Sequence, residues 1–410
     1  MKRFLGVFLG ILTAIGGFVD MGDLVANAAT GARFQMTLAW VVPVGVVGIV
    51  VYAEMSGRVA AICGRPVFDL VRERLGPRFG MANLIASFSI NVLTLTAELA
   101  GVAIALSLAA SINYLLLVPF VTVLVWLVVW RLPFSTMERI FGLLGLCLLV
   151  FVVAVWQFGP DWGTLWSAAA DPHVPSGETP FTYAYFGIAL FGAAMTPYEV
   201  FFFSSGAVED GWTVRDLNEN RANVFIGFPL GGLLSLAIMA CAHLVLAPHD
   251  IGVDQLSQVA LPVAVVVGKL GLAIVLVGIF AATFGAALET ALSAGYTVAQ
   301  YLGWPWGKHR RPRQASRFHV IILLTLLAGT VIACSGIDPV KVTEYSIVLS
   351  AAALPLTYFP ILVIANDPTY IGTGHVNGRF LNTIATIYLV ILVAVSVATI
   401  PLMIITKAGS

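Results

Sequence analysis

The stretch Gly16-Gly17-Phe18-Val19-Asp20-Met21-Gly22-Asp23 constrains this chain more than any other. It lies inside the first long apolar segment, between Phe4–Phe18 and Leu24–Gly31. Two carboxylates three residues apart are costly in a lipid-facing helix, roughly 2.5–3.5 kcal/mol each at its centre. Glycines before and between them let the backbone leave α-geometry. The stretch therefore reads as a helix broken at mid-membrane, with open carbonyls and both acidic side chains facing one small cavity. A cation is the natural occupant. The competing reading is a signal peptide whose acidic end lies outside. Against it, a small-residue helix continues past Asp23 and no A-x-A-like cleavage site follows.

The rest of the composition places that break in a membrane. The chain is 59% hydrophobic and 10% charged, with mean hydropathy +0.96, whereas a soluble domain carries about 25% charged residues. Apolar runs of about 20 residues mark spans. Eleven are expected, at residues 5–31, 36–60, 81–108, 113–130, 137–157, 180–207, 222–247, 262–300, 317–335, 341–365 and 380–406. The over-long eighth is expected to begin with a turn or surface helix near residues 261–271. A formal net charge of zero gives no argument for nucleic acid. Cys63, Cys147, Cys241 and Cys334 are scattered singly, without zinc or disulfide spacing.

Basic residues set the expected orientation. Lys2, Arg3, Arg65, Arg72, Arg74, Arg78, Arg131, Arg139, Arg215, Arg221, the cluster from Lys308 to Arg317, and Arg379 all fall on one side. The other side carries Arg33, Lys341 and Lys407, and the 158–179 loop has no Lys or Arg. The positive-inside rule then gives a cytoplasmic N-terminus and an external C-terminus, in a multi-pass protein expected in a prokaryotic inner (plasma) membrane. Pro66–Leu75 and Thr213–Asn223 read as short amphipathic cytoplasmic helices. The Lys308–Arg317 cluster reads as a topology signal, with contact to anionic lipid as the alternative.

The second half repeats the device of the first. Span 6 reads Gly192-Ala193-Ala194-Met195-Thr196-Pro197-Tyr198-Glu199. Pro197 removes a helix hydrogen bond, small residues precede it and an acidic residue follows. Spans 1 and 6 start on opposite sides, so two interrupted helices at matching positions mark an inverted repeat. The expected division is a single transmembrane domain, 1–410, with a first repeat 1–157, a second 180–365 and an additional helix 380–406.

Seven carboxylates lie within or beside the spans: Asp20, Asp23, Glu54, Glu98, Glu199, Glu289 and Glu344. Arg58, four residues after Glu54, reads as its structural partner. Lys269 either pairs with an acidic neighbour or reaches the surface. The remaining carboxylates have too few partners and must be protonated, neutralised by a transported cation or placed in water. Oxygen ligands suit hard cations such as Mg²⁺, Ca²⁺ and Mn²⁺. Asp20 and Asp23, with the Thr196 hydroxyl and carbonyls near Ala193, form the candidate metal site. Met21 and Met195 lie close by, and a methionine in such a position more often packs than ligates.

These residues resemble the Nramp family of divalent metal transporters. Members carry Asp-Pro-Gly-Asn in span 1, where this chain has Asp20-Met21-Gly22-Asp23, followed here by Gly31-Ala32-Arg33-Phe34. The resemblance continues through Glu54–Gly64, Ala97-Glu98 with Ala103-Ile104-Ala105-Leu106, and Leu354-Pro355-Leu356 through Pro360, Asn366-Asp367 and Gly378-Arg379. It implies an all-α polytopic membrane protein with the LeuT-type 5+5 inverted repeat, helices 1 and 6 broken. The departures bear on selectivity. The family's Met-Pro-His in span 6 is Thr196-Pro197-Tyr198, so an oxygen replaces the soft thioether ligand and a phenol replaces a histidine implicated in proton traffic. The family's span 1 Asn is Asp23. Both ligand changes point toward harder cations, with Mg²⁺ or Mn²⁺ favoured, as in Nramp-related magnesium transporters. The acidic residue upstream of the span 3 Glu is replaced within Thr94-Leu95-Thr96, leaving Glu98, Tyr198, Glu199, Glu289 and Glu344 as the groups for proton or outer contacts.

The expected function is secondary-active transport of divalent cations by alternating access, with the ion as substrate, protons as a second partner and no cofactor. An enzyme is not expected, because no metal-hydrolase motif or Ser/His/Asp set can be placed. No G-x-x-x-x-G-K-[ST] supports direct ATP drive. Two alternatives stand beside this reading. One is a transporter of the same fold for an amino acid or amine, and the acidic pair would repel a substrate carboxylate. The other is a non-transporting receptor, which leaves the carboxylates unexplained.

Overall fold

A computed structural model of the chain describes residues 18–308 and 310–409. The first half of span 1, with Gly16 and Gly17, the flanking Lys2 and Arg3, and His309 and Ser410 lie outside the described residues. The helices in order are α1 (Met21–Phe34), α2 (Val41–Cys63), α3 (Val67–Leu75), α4 (Pro77–Ala110), α5 (Tyr114–Arg131), α6 (Phe134–Gly145), α7 (Val150–Phe158) and α8 (Trp162–Ala170). They continue as α9 (Pro180–Ala194), α10 (Pro197–Glu209), α11 (Leu217–Ala222), α12 (Phe228–Val245), α13 (Leu256–Leu302), α14 (Ser316–Ala333), α15 (Pro339–Ile364), α16 (Pro368–Ile371) and α17 (Arg379–Ile405).

Apolar runs become helices because lipid offers no partner for a backbone N–H or C=O, and a helix satisfies both within the segment. Ten described segments are long and apolar enough to cross a membrane. They coincide with the second to eleventh expected spans. The predicted irregularities are present. Span 6 is α9 and α10 with Met195 and Thr196 non-helical between them. Within α13, Gly268 adopts φ 77° and ψ −159°, so a separate helix precedes the long one. Only glycine holds that backbone cheaply. Arg58 Nε lies 3.1 Å from Glu54 Oε1, the expected structural pair.

Polar contacts group the loops into two rims. At one, Arg33 pairs with Glu178 and donates to the Gly409 carbonyl, joining the end of α1, the 158–179 loop and the C-terminus. At the other, Arg58 donates to His375 O and Asn377, Arg74 pairs with Asp367, and Asn220 donates to Glu54 O. That rim gathers the loops expected on the basic side. The expected short helices sit there as α3 and α11.

The core is built on α4, which packs along α13 and α15, and on α1 against α12. Gly31 sets the α1–α12 approach. A Cβ there would lie 2.2 Å from Met239 O, a backbone atom that cannot rotate aside. Gly31→Ala is therefore expected to cost about 1–3 kcal/mol or more. A lowered melting temperature in detergent would show it, and an unchanged one would mean the helices separate freely.

Candidate functional site

The site forms where the two breaks meet. Asp20 has extended backbone (φ −102°, ψ −174°) and caps α1, its Oδ1 accepting from Asp23 N at 2.8 Å. Its Oδ2 accepts from the Tyr198 hydroxyl at 3.2 Å, in the first turn of α10. The next free amide of α1, Met21 N, donates to Glu98 Oε1 at 3.0 Å. Such first-turn N–H groups have no partner within the helix, so side chains from elsewhere take them.

In span 6 the cause of the break is visible atom by atom. An unbroken helix would bond the Ala193 carbonyl to the amide of residue 197. That residue is Pro197 and has no N–H. The Thr196 hydroxyl donates to Ala193 O instead, at 2.8 Å. This uses one lone pair of the carbonyl and leaves the other open.

Between these groups lies a cavity with about 20 Å³ of room for a water-sized occupant, about enough for one water. Asp20, Gly22, Ala193 and Thr196 line it from the breaks, and Glu98 and Thr94 from α4. Thr343, Ser346 and Ser350 complete it from α15. Asp20, Glu98 and Thr196 are 4%, 0% and 7% exposed, so the groups that line the cavity are buried. Glu98 Oε2 is buried and, among the described residues, has no hydrogen-bond partner. Ala97, Gly192 and Ile347 supply the apolar walls of the cavity, and its polar side-chain groups are all oxygens, two carboxylates and a set of hydroxyls beside the Ala193 carbonyl, which suits a hard cation. Among the described residues, no three His, Cys, Asp or Glu side chains converge on one point.

Asp23 is placed differently from the expectation that both acids face one cavity. It is buried, but its Oδ2 accepts from Ser235 Oγ at 2.6 Å on α12, and its Oδ1 from Asn27 Nδ2 at 2.8 Å. The physical reason is helical rotation. Asp20 precedes the first helical residue and points into the break. Asp23 lies a turn later, on the face packed against α12. Glu199, Glu289 and Glu344 do not line the cavity either. Glu199 is buried in α10 and the other two are half-buried. The hydroxyl wall was missed in the sequence. Its signal is the spacing 343, 346 and 350, one face of a helix in an apolar span.

The broken span 6 meeting the capped start of α1 at a buried polar cavity, with ten candidate spans among the described residues, matches the LeuT-type class of transporter fold. A Na⁺-coupled sialic acid symporter shares it at TM-score 0.64, with 12% identity over 97% of this chain and 89% of that one. A manganese transporter of Eremococcus coleocola, solved as a point mutant, superimposes at TM-score 0.73, with 19% identity over 98% and 87%. In sequence, the divalent metal cation transporter MntH of Pectobacterium carotovorum is 23% identical over 93% of this chain and 90% of its own. Residues 10–401 match the family described as natural resistance-associated macrophage protein-like. The chain belongs to the Nramp family, whose members are membrane transporters and not enzymes.

Proposed function

We propose that this chain carries divalent metal cations across the membrane by alternating access, as a secondary transporter. The observation that carries the reading is the convergence of Asp20, Ala193, Thr196 and Glu98 on one small buried cavity whose polar side-chain groups are all oxygens. Its room, about 20 Å³, suits a single ion and does not admit an amino acid or amine in this conformation. Asp20 and the Ala193 carbonyl are the principal ligands, and Thr196 supplies a hydroxyl oxygen. Asp23 stands behind the first turn of α1, its oxygens resting on Ser235 and Asn27. Glu98 and Tyr198, both within reach of the Asp20 loop, are the groups for proton or outer contacts. Glu199, Glu289 and Glu344 stand further off.

The absence of a soft ligand favours Mg²⁺ or Mn²⁺. Uptake into proteoliposomes, comparing Mg²⁺, Mn²⁺, Ca²⁺ and Cd²⁺ beside a pH dye, tests both ion and coupling. No uptake of any of the four would overturn the reading. Thr196→Met with Asp23→Asn restores a thioether and a neutral amide. The ratio of Cd²⁺ to Mg²⁺ transport is expected to rise on the order of tenfold, the factor given by ~1.4 kcal/mol of ligand preference. An unchanged ratio would mean that these side chains do not set selectivity.

In this reading the protein sits in the bacterial plasma membrane with a cytoplasmic N-terminus, which the one-sided Lys and Arg distribution supports. A reporter fused to the C-terminus is expected to read external. A cytoplasmic signal would mean a span more or fewer.

A further inference from the structure

Lys269 is the one cation inside the long apolar run of α13, and the ion site makes no use of it. It follows the break at Gly268, so it stands at the head of the long helix. It is exposed, and among the described residues it forms no ion pair or hydrogen bond. A lysine near the end of a span, at the level of the headgroups, attracts an anionic group.

Beside it runs a groove of about 550 Å³ between the last turns of α4 and the outer face of α13. Leu106, Leu108, Leu276, Val277 and Phe280 form its walls, and Lys269 is the only charged residue in the lining. The groove opens outward from the bundle, since Leu108 is 42% exposed and Val277 43%. Its charged end lies toward the end of α4, since the antiparallel register that pairs Asn91 with Ser293 and Gly101 with Thr283 carries Lys269 past the last residue of that helix, Ala110. From Lys269 to Phe280 the helix rises about 16 Å at 1.5 Å per residue. One leaflet of hydrocarbon is about 15 Å thick, half of the ~30 Å core.

We infer that this groove is a binding site for an anionic glycerophospholipid, with the phosphate on the Lys269 ammonium and one acyl chain lying along α13 to Phe280. The charge is matched at the end where a headgroup sits, and the length is matched to one chain. The lipid bridges α4, which carries Glu98, to α13.

Native mass spectrometry of the full chain, released from micelles containing phosphatidylglycerol or phosphatidylcholine, tests this. The wild type is expected to retain one phosphatidylglycerol in preference to phosphatidylcholine. Lys269→Gln removes the charge and is expected to weaken retention about fivefold, the factor for one lysine at an anionic surface. Ala273→Trp keeps the lysine and fills the groove, and is expected to abolish retention. Lys269→Arg and the control Lys341→Gln are expected to keep it. Unchanged retention in Lys269→Gln or Ala273→Trp, or equal retention of the two lipids by the wild type, overturns the proposal.

Discussion

Asp20→Ala is expected to abolish ion binding, while Asp20→Asn leaves the protein folded and binds at least a hundredfold more weakly. The two substitutions separate the residue's two roles. Alanine removes both the charge and the helix cap of α1, and loss of a cap costs about 1 kcal/mol of stability. Asparagine keeps an oxygen for the Asp23 amide and removes the charge alone. A buried charge that loses its partner costs about 3–5 kcal/mol, and each ~1.4 kcal/mol is tenfold in affinity. Calorimetry on detergent-purified protein reads the affinity, and a melting curve reads the cap. Full affinity in Asp20→Asn would place the ion elsewhere.

Arg58→Met is expected to be the most damaging single change away from the cavity. Arg58 and Glu54 are 5% and 6% exposed. The guanidinium also donates to His375 O and to Asn377 Oδ1, tying α2 to the loop before α17. Methionine fills the volume but leaves Glu54 charged and buried, a loss of about 3–5 kcal/mol. Arg221 Nε, 3.8 Å from Glu54 Oε1, recovers part of this from its exposed position. Adding Glu54→Gln to Arg58→Met is expected to restore much of the melting temperature, since it removes the stranded charge. A double variant as unstable as the single one would put the loss in the loop contacts instead.

Much of the fold was legible because lipid leaves few options. Apolar length set the spans and Pro197 the break in span 6, and the excess length of the eighth run pointed to a turn or surface helix near residues 261–271, where the structure has its break at Gly268. The one-sided arginines grouped the loops, and the two rims reproduce that grouping. The candidate site was legible in part for the same reason. Asp20, Ala193 and Thr196 lie at backbone interruptions, and interruptions are visible in sequence. Asp23 was not, because its direction depends on the rotation of a helix against α12 and on a partner, Ser235, that looks like any small residue in an apolar span. Thr343, Ser346 and Ser350 carry no charge to draw attention, although their spacing is helical. Glu289 and Glu344 drew attention by charge alone and lie away from the cavity.

One carboxylate joins the two halves of the molecule. Asp20 closes the turn that begins α1 with one oxygen and receives the hydroxyl of α10 with the other. An ion that coordinates Asp20 competes for the electron pairs that Tyr198 now engages. Occupancy of the site and contact between the half-helices thus draw on a single atom, Oδ2. Thermodynamic reciprocity then sets the sign. If binding loosens the tyrosine, anything that pulls α10 away tightens the hold on the ion by the same factor. Tyr198→Phe, which keeps the ring and deletes the competitor, is the substitution in which affinity and helix separation come uncoupled.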